Sequence, residues 1–201
     1  MERHSLSDYQ KKEMKHLKRS RIKTITLVSI LGTLSFILML IQVPVPFLPP
    51  FLTVDLSDIP AFIGFILLGW IPGIAIVGLK ILIYGLLVSS EPVGPIANLL
   101  ASLSLLLPMY FVYVRTKSVK GIYLGFALGI LSLIVMMSLL NYFVFLPAYG
   151  MIVDLSDVIE NLRAVIAASI IPFNLVKGLI VAAVAIIVYI KLIPKLKSVL
   201  K

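Results

Sequence analysis

Long apolar segments joined by short connections dominate this sequence of 201 residues. A helix needs about 20 consecutive, mostly apolar residues to cross the hydrocarbon core of a bilayer. Apolar segments predict helices near 22–42, 58–68, 72–88, 94–115, 121–145 and 164–190. Hydrophobic residues make up 60% of the chain, too many for a soluble domain. We therefore predict an all-α integral membrane protein, built as a bundle of six transmembrane helices.

Positive charge collects on one side of this predicted bundle. If the helices alternate in direction, the side of the basic segment 1–23 also receives Arg115, Lys117, Lys120, Lys191, Lys195, Lys197 and Lys201. The opposite side receives Asp55, Asp58, Glu91, Asp154, Asp157 and Glu160, with Arg163 as its only cation. Cytoplasmic loops carry an excess of Lys and Arg. We therefore predict that both termini are cytoplasmic, with 24–193 as the membrane domain between two basic cytoplasmic segments, 1–23 and 194–201.

The five-residue sequence Val-Asp-Leu-Ser-Asp occurs twice, at 54–58 and at 153–157. Ser57 or Asp58 can cap the helix that follows the first copy. After the second copy, the spacing of Asp157 and Glu160 is that of a capping box. We predict that both copies are helix N-terminal caps on one membrane face. A catalytic pair of carboxylates is the less favoured alternative, because no other reactive group lies near them in the sequence.

Polar residues interrupt several of the apolar segments. Lys177 lies near the middle of segment 164–190, three residues after Asn174 and on the same helical face. A lysine at that depth costs about 3 kcal/mol on insertion scales, so it needs a partner or a wet cavity. It can belong to a recognition site inside the bundle, or it can snorkel while Asn174 bonds a neighbouring helix. Lys80 is a second lysine in the middle of an apolar segment and also needs a partner or a wet cavity. Asn98 can contact a ligand or bond a neighbouring helix, and the sequence favours neither.

Two features concern packing and the first loop. Prolines at four of the nine positions 43–51 exclude a helix there, and we predict an apolar loop that folds over a cavity as a lid. Gly121, Gly125 and Gly129 form a face for close helix packing. Ser29 and Thr33 form a similar small-residue pair, a pattern more common within a bundle than at a partner site.

Several kinds of chemistry are excluded by what the sequence lacks. There is no cysteine, and both histidines, His4 and His16, lie in the basic segment rather than in an apolar one. Neither a Walker sequence nor a Gly-x-Ser-x-Gly elbow occurs. The positive charges lie at the ends of apolar segments, which indicates topology rather than nucleic-acid binding. We predict a small-molecule-binding membrane protein with no enzymatic activity, no metal and no cofactor.

The sequence resembles a known transporter family in two ordered motifs. Residues 51–61, Phe-Leu-Thr-Val-Asp-Leu-Ser-Asp-Ile-Pro-Ala, follow the proline-rich loop, and residues 91–98, Glu-Pro-Val-Gly-Pro-Ile-Ala-Asn, open the fourth predicted helix. Both are similar to the riboflavin-specific S components of energy-coupling-factor (ECF) transporters. The resemblance covers nearly the whole chain after the basic segment.

That resemblance implies a function and a set of binding residues. Asn141, Asn174 and Lys177 match the family's flavin contacts, and the further candidates for substrate binding are Phe51, Leu52, Asn98 and Glu91. It also implies capture of riboflavin outside a bacterial cell membrane and association with a transmembrane T component and two cytoplasmic ATPases. Ser29 and Thr33 stand where the family often has an Ala-xxx-Ala docking pair, so we expect docking there. Another vitamin, thiamine or a pyridoxine, or a structural role without a ligand, are the alternatives.

Overall fold

A computed structural model describes residues 8–50, 52–150 and 161–200 of the chain. Apart from one two-stranded ribbon, the regular elements in these residues are helices. In chain order they are α1 (Asp8–Met39), β1 (Val43–Pro44), β2 (Thr53–Val54), α2 (Asp58–Leu68), α3 (Trp70–Leu87), α4 (Val93–Thr116), α5 (Val119–Leu140), a first π-helical turn (Asn141–Phe145), α6 (Leu146–Gly150), α7 (Leu162–Val165), a second π-helical turn (Ile166–Ile170), α8 (Ile171–Lys191) and α9 (Ile193–Leu200).

The predicted all-helical membrane protein is confirmed, but the predicted number of six spanning helices is not. Five helical segments of the described chain are long and apolar enough to cross a bilayer: Arg21–Met39, Trp70–Leu87, Val93–Thr116, Val119–Ala148 and Leu162–Lys191. The remaining predicted span, α2, has 11 residues, which gives a length of about 16 Å at 1.5 Å per residue. It is therefore a short helix, and nearly all of it is buried inside the bundle.

Two boundaries differ from those predicted. Helix α1 begins at Asp8, so the helix extends into the basic segment rather than starting near residue 22. The end predicted for the fifth helix, at residue 145, was wrong, because helical structure continues through α6 to Gly150. The second copy of Val-Asp-Leu-Ser-Asp, at 153–157, and Glu160 lie outside the described residues, so its capping role stays a prediction.

Glycines bring α4 and α5 into close contact. Gly121, Gly125 and Gly129 are all buried, as the packing-face prediction requires. A Cβ atom added to Gly125 would lie 2.7 Å from the backbone oxygen of Met109 in α4. Contact at that distance leaves no room for a side chain, so the two helices meet backbone to backbone along this face.

The first loop enters the bundle, and α2, which follows it, lies in the interior. Strands β1 and β2 pair antiparallel, with Val43 opposite Val54. The residues after β2 lead to Asp58, which bonds to Lys80 near the middle of α3. Helix α2 therefore begins level with the middle of the apolar helix α3 rather than beside its end.

Candidate functional site

A cavity of about 260 Å³ lies at the end of the bundle where α1, α3 and α5 finish and α4 and α8 begin. The basic residues Arg115, Lys117, Lys120 and Lys191 lie at the opposite ends of these helices. The cavity walls combine carboxamides, a carboxylate, a lysine and hydroxyls with apolar and aromatic side chains. Such a mixture, a few convergent polar groups on an apolar wall, is typical of a small-molecule site.

The structure brings most of the predicted binding residues together on this cavity. Its lining includes Leu52, Glu91, Asn98, Asn141, Asn174 and Lys177. These residues come from the first loop, the loop before α4, helix α4, the first π-helical turn and helix α8, so the fold rather than sequence proximity assembles them. Phe51 lies outside the described residues, and its contact with a ligand stays a prediction.

Two asparagines present the same geometry from two different helices. The side-chain amide of Asn141 donates to the backbone oxygen of Met137, and that of Asn174 donates to Ile170, each at 2.8 Å. Each bond reaches back four residues along the asparagine's own helix and fixes the carboxamide. No described residue donates to either carboxamide oxygen, so each side chain keeps an acceptor and one N–H for a ligand.

A π-helical turn lies beside each of these asparagines. The first turn begins at Asn141, and the second ends at Ile170, one helical turn before Asn174. Pro172 is the second residue after this turn, and its missing N–H prevents an ordinary helical bond at that point. Such π turns widen a helix locally and occur often at functional sites. Here residues of both turns, including Asn141 and Ile170, line the cavity.

Glu91 and Asn98 have contacts within the protein as well as places in the cavity wall. The Glu91 carboxylate accepts from the backbone N–H of Val93 at 2.6 Å and of Gly94 at 3.0 Å, which caps the start of α4. The Asn98 side-chain oxygen lies 3.4 Å from the hydroxyl of Ser102. These bonds rigidify the α4 end of the site. A direct role for either residue in substrate binding remains a prediction.

The predicted cap at the start of α2 was wrong, because its residues belong to a buried ionic cluster. Neither Ser57 nor Asp58 caps α2 through its side chain. Instead the Lys80 ammonium donates to Ser57 Oγ at 2.7 Å, Asp58 Oδ1 at 2.6 Å and Ser102 Oγ at 3.0 Å. Asp55 and Asp58 are both buried, so neither contributes a surface charge to the side on which topology counting placed it.

Two buried lysines, Lys80 and Lys177, differ in what their ammonium groups contact. Lys80 is fully buried, and its three N–H groups all have acceptors inside the protein. Lys177 is only 4% exposed, so it does not snorkel to the membrane surface. Its Nζ lies 4.0 Å from Asp55 Oδ2, beyond hydrogen-bond distance, and donates to no described residue. Lys80 is therefore a structural residue, whereas Lys177 presents its donors to the cavity.

Sequence reasoning missed the polar rim of the cavity. Gln42, just after α1, donates to the Tyr84 hydroxyl at 3.0 Å and accepts from the Thr53 hydroxyl at 3.3 Å. This chain of bonds ties the end of α1 to α3 and to the first loop. The available signal was the position of Gln42, a polar residue at the end of an apolar segment and directly before the proline-rich loop.

The first loop lies against the start of α8, which agrees with its predicted place at the cavity. Leu52 and Val54 pack with Ile170 and Phe173 in a small apolar cluster. Leu52 and Thr53 also line the cavity. The loop thus forms one wall of the site, while its opening and closing as a lid remain a prediction.

The small-residue pair on α1 faces outward. Ser29 and Thr33 are exposed, whereas Gly32 beside them is buried against Leu79 of α3. Packing within the bundle, the more common use of such a pair, is therefore excluded for these two side chains. Their face is open to contact another helix.

Comparison with known proteins identifies close relatives. The model of a protein family described as "ECF transporter, substrate-specific component" matches residues 23–189. The chain is 39% identical over 183 residues to riboflavin transporter RibU of Staphylococcus aureus (strain TCH60), covering 91% of this chain and 97% of that protein. It is 36% identical over 180 residues to riboflavin transporter FmnP of Bacillus subtilis (strain 168), covering 87% and 94%.

A solved structure, described as the S component of a bacterial ECF transporter, is similar in fold as well as in sequence. It superimposes with a TM-score of 0.77 at 37% identity, covering 88% of this chain and 99% of that one. The similarity therefore includes most of this chain and nearly all of the solved one.

Proposed function

Because the chain belongs to the substrate-specific (S) components of ECF transporters, we propose that its cavity binds riboflavin for uptake into a bacterial cell. An S component is a binding subunit of a transporter and not an enzyme. The observation that carries the proposal is the convergence of Asn141, Asn174 and Lys177 on one cavity. The relatives named as riboflavin transporters match this chain over most of its length, which supports the choice of ligand.

The chemistry of the cavity suits an isoalloxazine ring. The pyrimidine edge of the ring alternates hydrogen-bond acceptors with an N–H donor, and a carboxamide offers the matching pair. Asn141 and Asn174 each have an unused oxygen and N–H for that edge. Lys177 offers only donors and suits a carbonyl oxygen or ring nitrogen. The apolar dimethylbenzene end fits against Leu52 and Phe173.

Orientation follows from the positions of the basic residues. Arg115, Lys117, Lys120 and Lys191 lie at the end of the bundle away from the cavity, and the positive-inside rule assigns that end to the cytoplasm. The cavity then faces outward with both termini inside. A T component and two cytoplasmic ATPases drive the inward release of riboflavin, and the T component docks on the exposed face of Ser29 and Thr33 on α1.

Direct binding tests the proposal. Protein purified in detergent should be yellow if it retains a flavin, and ligand-free protein should quench the fluorescence of added riboflavin at a one-to-one ratio. Thiamine and pyridoxine serve as competitors and should not displace it. Colourless protein that leaves riboflavin fluorescence unchanged would refute the proposed ligand, and selective binding of thiamine or pyridoxine would replace it.

A further inference from the structure

Asp55 lies behind Lys177, on the side away from the cavity. Lys177 lines the cavity, whereas Asp55 lines a separate apolar groove of about 420 Å³ between the end of α1, the first loop and α8. A ligand in the cavity therefore meets the ammonium group and not the carboxylate. Asp55 can therefore affect a ligand in the cavity only by its effect on Lys177.

The Asp55 carboxylate is held in a fixed orientation. Its Oδ1 accepts a hydrogen bond from the backbone N–H of Ser57 at 2.8 Å. This bond closes a local turn in the residues before α2. This bond directs Oδ2 toward Lys177, whose Nζ is 4.0 Å away. Both side chains are almost fully buried, at 2% and 5% exposure, so solvent screens their attraction only weakly.

The separation of 4.0 Å has a chemical consequence. An ammonium group deep in a membrane domain needs a counter-charge, and Asp55 supplies one. A direct hydrogen bond would use one of the three donors of Lys177, as Asp58 does with Lys80. The two charges of the pair sum to zero. Because their atoms are 4.0 Å apart, the N–H donors of Lys177 stay available to the cavity.

We propose that Asp55 is a positioning residue for substrate binding, which neutralises and orients Lys177 while leaving its N–H donors to the ligand. This inference rests on the proposed function, because the ligand is taken to be riboflavin. It assigns to the first copy of Val-Asp-Leu-Ser-Asp a role in the site in place of helix capping.

A double-mutant cycle tests this role. Riboflavin affinity is measured by fluorescence quenching for the wild type, Asp55→Asn, Lys177→Met and the double variant. We expect Asp55→Asn to weaken binding roughly tenfold, within the range of coupling between contacting residues. In the Lys177→Met background the same change should alter affinity by less than about twofold. An equal loss in both backgrounds, or no loss in either, would overturn the proposal.

Two further readouts separate positioning from a general structural effect. At saturating riboflavin, the visible absorption bands of the flavin bound to Asp55→Asn should shift toward those seen with Lys177→Met. A spectrum identical to that of the wild type would argue against positioning. If Asp55→Asn fails to fold, Lys177→Met and the double variant are compared directly. Equal affinities support the proposal, and weaker binding by the double variant contradicts it.

Melting temperature provides a test that needs no ligand. Lys177→Met leaves the Asp55 carboxylate buried without a counter-charge, so adding Asp55→Asn should raise the melting temperature of the ligand-free protein. Failure of the wild type to bind riboflavin would refute the proposed function, while this comparison would still decide whether the two charges are paired. A lowered melting temperature in the double variant would contradict the pairing.

Discussion

Asn174 is the side chain whose contribution to binding can be predicted most directly. It is buried, its amide bonds to Ile170, and its oxygen lacks a donor among the described residues. Replacing it with alanine should leave a polar group of bound riboflavin unpaired, at a cost of about 1–3 kcal/mol. We expect Asn174→Ala to weaken riboflavin binding by roughly 5- to 150-fold in a fluorescence titration. Unchanged affinity with a lowered melting temperature would show that Asn174 serves only to stabilise the bundle.

Lys80 should affect stability, in contrast to the lysine that lines the cavity. Lys80→Met removes the counter-charge of Asp58, which is itself 1% exposed. Breaking a buried ion pair on one side costs about 3–5 kcal/mol, so the variant should melt at a much lower temperature. Adding Asp58→Asn removes the remaining charge and should restore part of the loss. A single variant as stable as the wild type would contradict the structural role of this pair.

At the scale of single residues, the sequence predicts the residues that bear the chemistry but not their partners. The spacing of Asn174 and Lys177 in an apolar segment indicates a shared face, and the structure confirms it. The pairing of Lys80 with Asp58 depends on the vertical register of α2 against α3, which no local pattern specifies. Local reasoning therefore assigned Asp58 to a helix cap, the commoner use of an aspartate at that position.

The glycine face between α4 and α5 gives a prediction for a whole helix pair. Gly125→Ala would place a Cβ 2.7 Å from the Met109 backbone oxygen, so the helices must move apart. We expect a clear drop in the melting temperature of the detergent-solubilised protein. Gly78→Ala is the matched control, since a Cβ there meets nothing within 4 Å, and it should leave stability unchanged or slightly raised. Equal effects of the two changes would show that the close approach is unimportant.

The outward face of α1 gives a second prediction at this scale. Substituting Trp for Ser29 places a large side chain on the proposed docking face without filling any internal space. Co-purification with the T component should fall, while riboflavin affinity stays within about twofold of the wild type. Leu131→Trp, on the exposed side of α5, is the control and should co-purify normally. Normal assembly of the Ser29 variant would place the docking face elsewhere.

At this scale, the sequence predicts that each main helix exists, but it predicts the residues at which the helices begin and end less well. Apolar length and proline positions locate each main helix, including α2 at 58–68. The continuation of α5 through the first π-helical turn into α6 was not predictable, because the inserted residue keeps the chain helical where composition suggests a loop. Likewise, the short length of α2 can be read from the sequence. Its burial inside the bundle cannot, because that burial depends on contacts with α3 and α4.

At the scale of the whole molecule, the orientation in the membrane can be measured independently of any ligand. The native chain has no cysteine, so single cysteines can be introduced without removing others. Ser90→Cys lies at the cavity end and Lys120→Cys at the opposite end, and both positions are exposed. In intact cells, a membrane-impermeant thiol reagent should label the first variant and reach the second only after lysis. The reverse pattern would place the cavity on the cytoplasmic side.

The buried start of α2 also has a consequence for the biogenesis of the protein. As the chain is synthesised, α1 can enter the membrane alone, but the segment from Asp55 to Leu68 is short and carries two carboxylates that lipid would not accommodate. The groups that Asp58 contacts, Lys80 and Ser102, emerge only later, with α3 and α4. We therefore expect this segment to remain at the membrane surface until the spanning helices are in place, and to enter the bundle last, together with Leu52 and Thr53 of the cavity wall.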